Sequence, residues 1–213
     1  MLTSLPNILT LSRILVIPPI VALFFMDGET PRWVALGLYA AACVTDFFDG
    51  YIARSMGQIS KFGRFMDPVA DKLLVAAVIF MLVATDRIAG LVVLPALIIL
   101  IREILVSGLR EHLAALSVGV PVSRLAKWKT MIQMFALGFL IVHDASPEWI
   151  PSVWIGEIGV WVAALLTLIT GWDYLQAGLK HLTGDVEPDP PAKPAPKKAG
   201  TPTKPGGTAE NLS

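Results

Sequence analysis

Apolar residues run along the chain in six long blocks, at residues 10–26, 33–53, 68–85, 89–109, 125–142 and 154–174, separated by short polar stretches. The blocks show little of the polar face that a helix on the surface of a water-soluble bundle carries, so a soluble helical bundle is the weaker account. Each approaches the roughly 20 apolar residues with which a helix crosses a bilayer. Backbone groups in hydrocarbon must be satisfied within their own segment, and the blocks exceed barrel-strand length, so helices are expected. The pattern predicts an all-α integral membrane domain of six transmembrane helices over residues 1–183.

Composition sharpens this picture at the C-terminal end. The chain of 213 residues is 54% hydrophobic and 16% charged, but from residue 184 prolines, lysines and acids replace the large apolar side chains. Residues 184–213 therefore read as a disordered tail. Its lysines (Lys193, Lys197, Lys198, Lys204) are balanced by Asp185, Glu187, Asp189 and Glu210, which argues against strong attraction to anionic lipid. Nothing in the charge pattern calls for nucleic acid. The single Cys43 lies inside an apolar block and forms no internal disulfide, so it reads as a small packed hydrophobe.

A net charge of zero hides an asymmetry. Arg54, Lys61, Arg64, Arg110, Arg124, Lys127, Lys129 and Lys180 fall in alternate gaps or at the end, whereas the other gaps hold Arg32 and Arg87. The positive-inside rule then puts both termini in the cytoplasm. The first block lacks the basic start and cleavage site of a signal peptide and reads as a retained span. Trp33, Trp149, Trp154 and Trp172 lie near block ends and read as interfacial anchors, and His112, His143 and His181 are scattered without metal-ligand spacing.

Four aspartates interrupt the apolar pattern. Asp46 and Asp49, three apart, close the second block; Asp67 and Asp71, four apart, open the third. Each pair shares a helix face. Gly57, Gln58, Ser60 and Lys61 are expected to form the turn, making the two helices antiparallel neighbours, with Asp67 at or next to an N-cap and Pro68 in the first turn. Four carboxylates at one cytoplasmic edge repel unless cations hold them ionised, and an all-oxygen donor set selects Mg²⁺ or Mn²⁺ over zinc. Two ions would form the clamp used for displacement at phosphorus. Gly50, Ala53 and Gly63 keep the surface low for a phosphate or nucleotide beside Arg54, although small residues also serve helix packing in lipid. Ion transport is the competing account, but a transporter places its acids near the midplane of broken helices.

The run Asp46-x2-Asp49-Gly50-x2-Ala53-Arg54-x8-Gly63-x3-Asp67-x3-Asp71 resembles the signature of the CDP-alcohol phosphatidyltransferases at every fixed position. The resemblance implies that Asp46, Asp49 and Asp67 are metal ligands and that Asp71 is both ligand and general base. It implies that Gly50, Arg54, Ser60 and Gly63 lie where the CDP moiety of CDP-diacylglycerol binds. It also implies direct attack by an alcohol with loss of CMP, and a homodimer.

The acceptor must be read elsewhere. Arg102 and Arg110, two helical turns apart, can share a face and, with Lys127 and Lys129, form a basic pocket suited to a phosphorylated polyol. Membrane anchoring explains the lysines equally well, and an ion pair with Glu103 is the plainer account of Arg102. The Arg102–Glu111 and Ala126–Thr130 stretches are similar to the phosphatidylglycerophosphate synthase subgroup, with Ala126 where a Gly is common. So is the opening Leu5-Pro6-Asn7-Ile8-Leu9-Thr10-Leu11-Ser12-Arg13. By that resemblance Asn7 and Thr10 hold the nucleotide, though Asn7 also fits a helix cap. The expected reaction transfers a phosphatidyl group to sn-glycerol 3-phosphate at the cytoplasmic side of a bacterial inner membrane. Phosphatidylglycerol, serine and inositol phosphate are the alternative acceptors, and a silent membrane scaffold is the remaining alternative.

Overall fold

The computed structural model describes residues 5–56, 61–115 and 124–182. Six α-helices account for nearly all of them: α1 (Leu5–Phe24), α2 (Glu29–Met56), α3 (Lys61–Ala84), α4 (Val93–Ala115), α5 (Arg124–Val142) and α6 (Ser152–Leu182). No strand occurs among the described residues. The predicted tail at 184–213 lies outside them.

By length and composition, the stretches Gly90–Leu113, Leu125–Ala145 and Ser152–Gln176 are long and apolar enough to cross a membrane. α1 has a shorter apolar stretch, Ile8–Phe24, and α2 and α3 carry the aspartates and their flanking charges. Large apolar side chains such as Phe80, Ile104, Leu105, Phe135 and Leu165 point outward from the bundle, as hydrocarbon surroundings allow.

α1 continues through Pro18 and Pro19 without interruption. α3 departs from expectation. It begins at Lys61, seven residues before Pro68, so Lys61 belongs to the helix rather than the turn, and Asp67 lies inside the helix rather than at its N-cap. Pro68 is thus an interior proline and forgoes the helical bond to the residue four before it. The expected turn residues Gly57, Gln58 and Ser60 lie outside the described residues.

α1 packs against both α2 and α3, and among the described residues α2 and α3 hardly meet. The ends of α2 and α3 nearest their connection, where a short turn would bring them together, lie outside the residues whose side chains are described. α5 and α6 make the most intimate pair, because small residues let their backbones approach. At Gly159 an added Cβ would stand 2.7 Å from the Cβ of Ala136. Ile99, Leu137, Leu140, Ile141 and Ala163 fill the middle of the bundle together with Val78 and Leu82 of α3.

The end remote from the aspartates is closed by caps and charges. Asp86 adopts φ 55° and ends α3: its amide donates to the Val83 carbonyl at 3.2 Å, and the Arg87 amide to that of Leu82 at 2.9 Å. This is a left-handed helix stop, for which Asp is tolerated. Arg87 donates to the Ile141 carbonyl at 2.6 Å and lies over the Phe24 ring, while Arg32 pairs with Asp144. Burial, with Arg32 nearby, lowers the Arg87 guanidinium to about 10, which leaves it charged at neutral pH. The indole of Trp33 donates to the Ala145 carbonyl at 3.2 Å, so this anchor also ties α2 to the α5–α6 connection.

Candidate active site

Two helices bring the acids together, and α1 supplies the cation they share. Asp46 lies in the second half of α2, and Asp67 and Asp71 share one face of α3. Arg13 of α1 donates through Nη1 to Asp46 Oδ1 at 2.6 Å and also to Asp71 Oδ1. Its Nη2 stands 3.7 Å from Asp67 Oδ1. Thr10, one turn earlier on α1, donates its hydroxyl to that same Asp67 oxygen.

Burial explains why these contacts matter. Arg13 is 1% exposed, and a charge removed from water that completely is tolerated only when paired. Asp46, Asp67 and Asp71 all stay partly open, so the cation is sealed behind its anions. Arg13 closes the N-terminal motif Leu5–Arg13, whose resemblance assigns it no role. It is the one charged residue within the first apolar block, which is the signal that could have found it.

Thr10 was expected to contact nucleotide; in this structure its hydroxyl serves Asp67. Asn7 lies in the first turn of α1, Asp49, Gly50 and Arg54 continue α2 by backbone, and Gly63 lies in the first turn of α3. The side chains at those positions, and Ser60 altogether, lie outside the described residues.

Among the described residues no three acids stand together as a cation cage of their own, and the Arg13 guanidinium lies among Asp46, Asp67 and Asp71. The donor set nonetheless fits a hard divalent cation, since every acid offers carboxylate oxygen and the group already converges on positive charge.

Asp46 also lines a cavity of about 1260 Å³ that runs along α2 and α5. At the aspartate end its wall carries Arg102, Glu103, Arg110, Lys127 and Lys129, so all four predicted basic residues share one cavity. Further along, Leu36, Ala40, Met134, Phe135 and Phe139 make the wall apolar as far as Trp33 and Ile150. From Trp33 to Asp46 this spans roughly 20 Å along α2. A charged mouth followed by an apolar channel matches a molecule with a polar head and hydrocarbon chains.

The four basic residues are not equivalent. Lys129 is 2% exposed and bonds to Glu103. Arg102 stands 3.8 Å from the same carboxylate, donates to Thr170 Oγ1 at 2.9 Å and lies over the Tyr174 ring. Gly171 makes room for it: an added Cβ there would lie 3.2 Å from Arg102 Cγ. The expected ion pair of Arg102 with Glu103 is therefore present, and Lys129 is the closer partner. Arg110 and Lys127 are exposed and open to the cavity.

A profile of CDP-alcohol phosphatidyltransferases matches residues 3–169, which include every helix that builds the carboxylate centre. The chain belongs to the CDP-alcohol phosphatidyltransferase family. Similarity to individual family members extends over most of the chain. It is 49% identical over 178 residues to the CDP-diacylglycerol–glycerol-3-phosphate 3-phosphatidyltransferase of Rickettsia felis, covering 84% of this chain and 97% of that one. The protein of the same name from Cereibacter sphaeroides is 36% identical, and that from Shigella flexneri serotype 5b is 40% identical, with the same coverage. CDP-alcohol phosphatidyltransferases are generally dependent on a divalent metal, in keeping with the oxygen donors gathered here.

Proposed function

We propose that this protein transfers the phosphatidyl group of CDP-diacylglycerol to sn-glycerol 3-phosphate, forming phosphatidylglycerol phosphate and releasing CMP. The observation that carries the reading is Asp46, shared between the carboxylate centre and a cavity with a basic mouth and an apolar channel. The printed names of the relatives support the same donor and acceptor.

In this reading Asp46, Asp49, Asp67 and Asp71 would hold Mg²⁺ or Mn²⁺, two ions in all. Such ions, when bound, offset negative charge on the phosphates and lower the pKa of a bound hydroxyl. Asp71 accepts the proton of the acceptor hydroxyl as its oxygen forms a bond to the phosphorus bearing diacylglycerol; the bond from that phosphorus to CMP breaks, and CMP leaves with the electron pair. Asn7, Gly50, Arg54, Ser60 and Gly63 are assigned to binding the CDP moiety, together with Thr10, whose hydroxyl in this structure is donated to Asp67. The apolar channel takes acyl chains. Arg110 and Lys127, open to the cavity, make first contact with the acceptor phosphate, and Lys129 and Arg102 complete the basic wall from their places beside Glu103.

All six helices cross the membrane in this reading, with both termini and the aspartates on the cytoplasmic side of a bacterial inner membrane. The protein works as a homodimer with residues 184–213 as a dispensable tail. The deciding experiment offers purified protein in lipid nanodiscs CDP-diacylglycerol with glycerol 3-phosphate, phosphatidylglycerol, serine or inositol phosphate. CMP release and the lipid product are read by mass spectrometry. Phosphatidylglycerol phosphate is expected; a product from another acceptor and none from glycerol 3-phosphate would overturn the assignment. Ion flux without CMP release would favour transport.

A further inference from the structure

Arg13 is the one full charge that α1 carries, and it ends among Asp46, Asp67 and Asp71. A buried guanidinium needs anions around it, and clustered carboxylates need a cation. The acids meet the guanidinium's requirement in full, and the guanidinium meets theirs in part. A divalent cation arriving at these acids therefore finds one of their three negative charges already offset. It is repelled by the guanidinium a few ångströms away, and it must share oxygens whose lone pairs are partly taken.

From this juxtaposition we infer that Arg13 is a built-in counter-ion that competes with the divalent cation for the acidic centre. It holds the acids together while no metal is bound, and it sets how tightly metal binds. The inference rests on the metal-binding reading proposed above and adds to it a positioning residue on α1. A clamp that merely pre-arranged the acids would act in the opposite direction, because its removal would loosen the ligands and weaken metal binding. The sign of the effect decides between them.

The probe is Mn²⁺ alone, titrated without substrate into purified full-length protein in nanodiscs and followed by electron paramagnetic resonance of the free ion. Wild type, Arg13→Gln and Asp71→Asn are compared. Arg13→Gln is expected to bind Mn²⁺ about tenfold more tightly or better, to melt lower than wild type in EDTA, and to recover more of its melting temperature when Mn²⁺ is added. Asp71→Asn is expected to bind more weakly. Saturable binding by wild type that Arg13→Gln leaves unchanged or weakens overturns this inference alone. No saturable binding by wild type overturns the metal reading as well.

If Arg13→Gln yields no folded protein, wild type labelled with ¹⁵N-arginine gives the second measurement. The Arg13 side-chain resonance, assigned by its loss in Arg13→Lys, is expected to shift at saturating Mg²⁺. An unchanged resonance overturns the inference.

Discussion

Glu103→Gln tests whether the basic wall of the cavity is scaffold, acceptor site, or both. The substitution takes the carboxylate from Lys129, whose side chain has almost no contact with solvent. Removing one partner of a buried ion pair costs about 3–5 kcal/mol, because the other charge stays behind uncompensated. Glu103 keeps 21% of its side chain exposed, so water already reaches the pair, and about 3 kcal/mol at the lower end of that range is expected. Substituting both, Glu103→Gln with Lys129→Met, leaves no orphaned charge and should return stability to within about 1 kcal/mol of wild type. Unfolding of wild type, both single variants and the double variant in the same detergent measures this coupling. Glu103→Gln as stable as wild type would refute the pairing. The KM for glycerol 3-phosphate separates the two roles: a charge-assisted bond to phosphate is worth about 1.5–3 kcal/mol, or roughly 10- to 100-fold in KM. A stable double variant with an unaltered KM would refute any contact between Lys129 and the acceptor.

Three further outcomes are expected. Asp71→Asn should lower kcat by about 10²–10⁴-fold, far more than it weakens CDP-diacylglycerol binding, since a general base is lost; turnover near wild type would sink that role. Gly159→Ala places a Cβ 2.7 Å from that of Ala136 and should destabilise by about 1–3 kcal/mol. Gly37→Ala meets nothing within 4 Å and should be neutral or stabilising by up to about 1 kcal/mol, so equal melting temperatures for these two variants would contradict the α5–α6 packing. Deleting residues 184–213 should preserve most of the turnover, and a large loss in a well-folded truncation would show that the tail contributes to catalysis.

The helices were legible in the sequence because each apolar block is long enough to impose its own backbone hydrogen bonding, whatever its neighbours do. Their ends were less so. Pro68 pointed to a helix start, yet α3 begins at Lys61 and absorbs the proline, so the rule for first-turn prolines gave the wrong boundary. The four basic residues line one cavity, and for Arg102 and Arg110 the two-turn spacing on α4 made a shared face legible. Which of them is free to meet a ligand was not local. It depends on Glu103 reaching Lys129 across two helices, and on Thr170 and Gly171 of α6 receiving Arg102.

The same distinction explains Arg13. Short spacing joined Asp46 to Asp71 along the chain and suggested that α2 and α3 face one another, but chain proximity does not decide which helix stands between two others. Among the described residues α1 packs against both, through contacts between residues more than thirty positions apart. A lone arginine in a greasy segment is expensive unless something distant neutralises it, and a cluster of aspartates needs cations. Taken separately, those two facts ask for an unknown partner and for metal. Taken together, they require that the acids be counted against Arg13 before they are counted against any ion. On the proposal above, Arg13 offsets one of the centre's negative charges, so the centre's affinity for metal depends on α1 as well as on the aspartate motif.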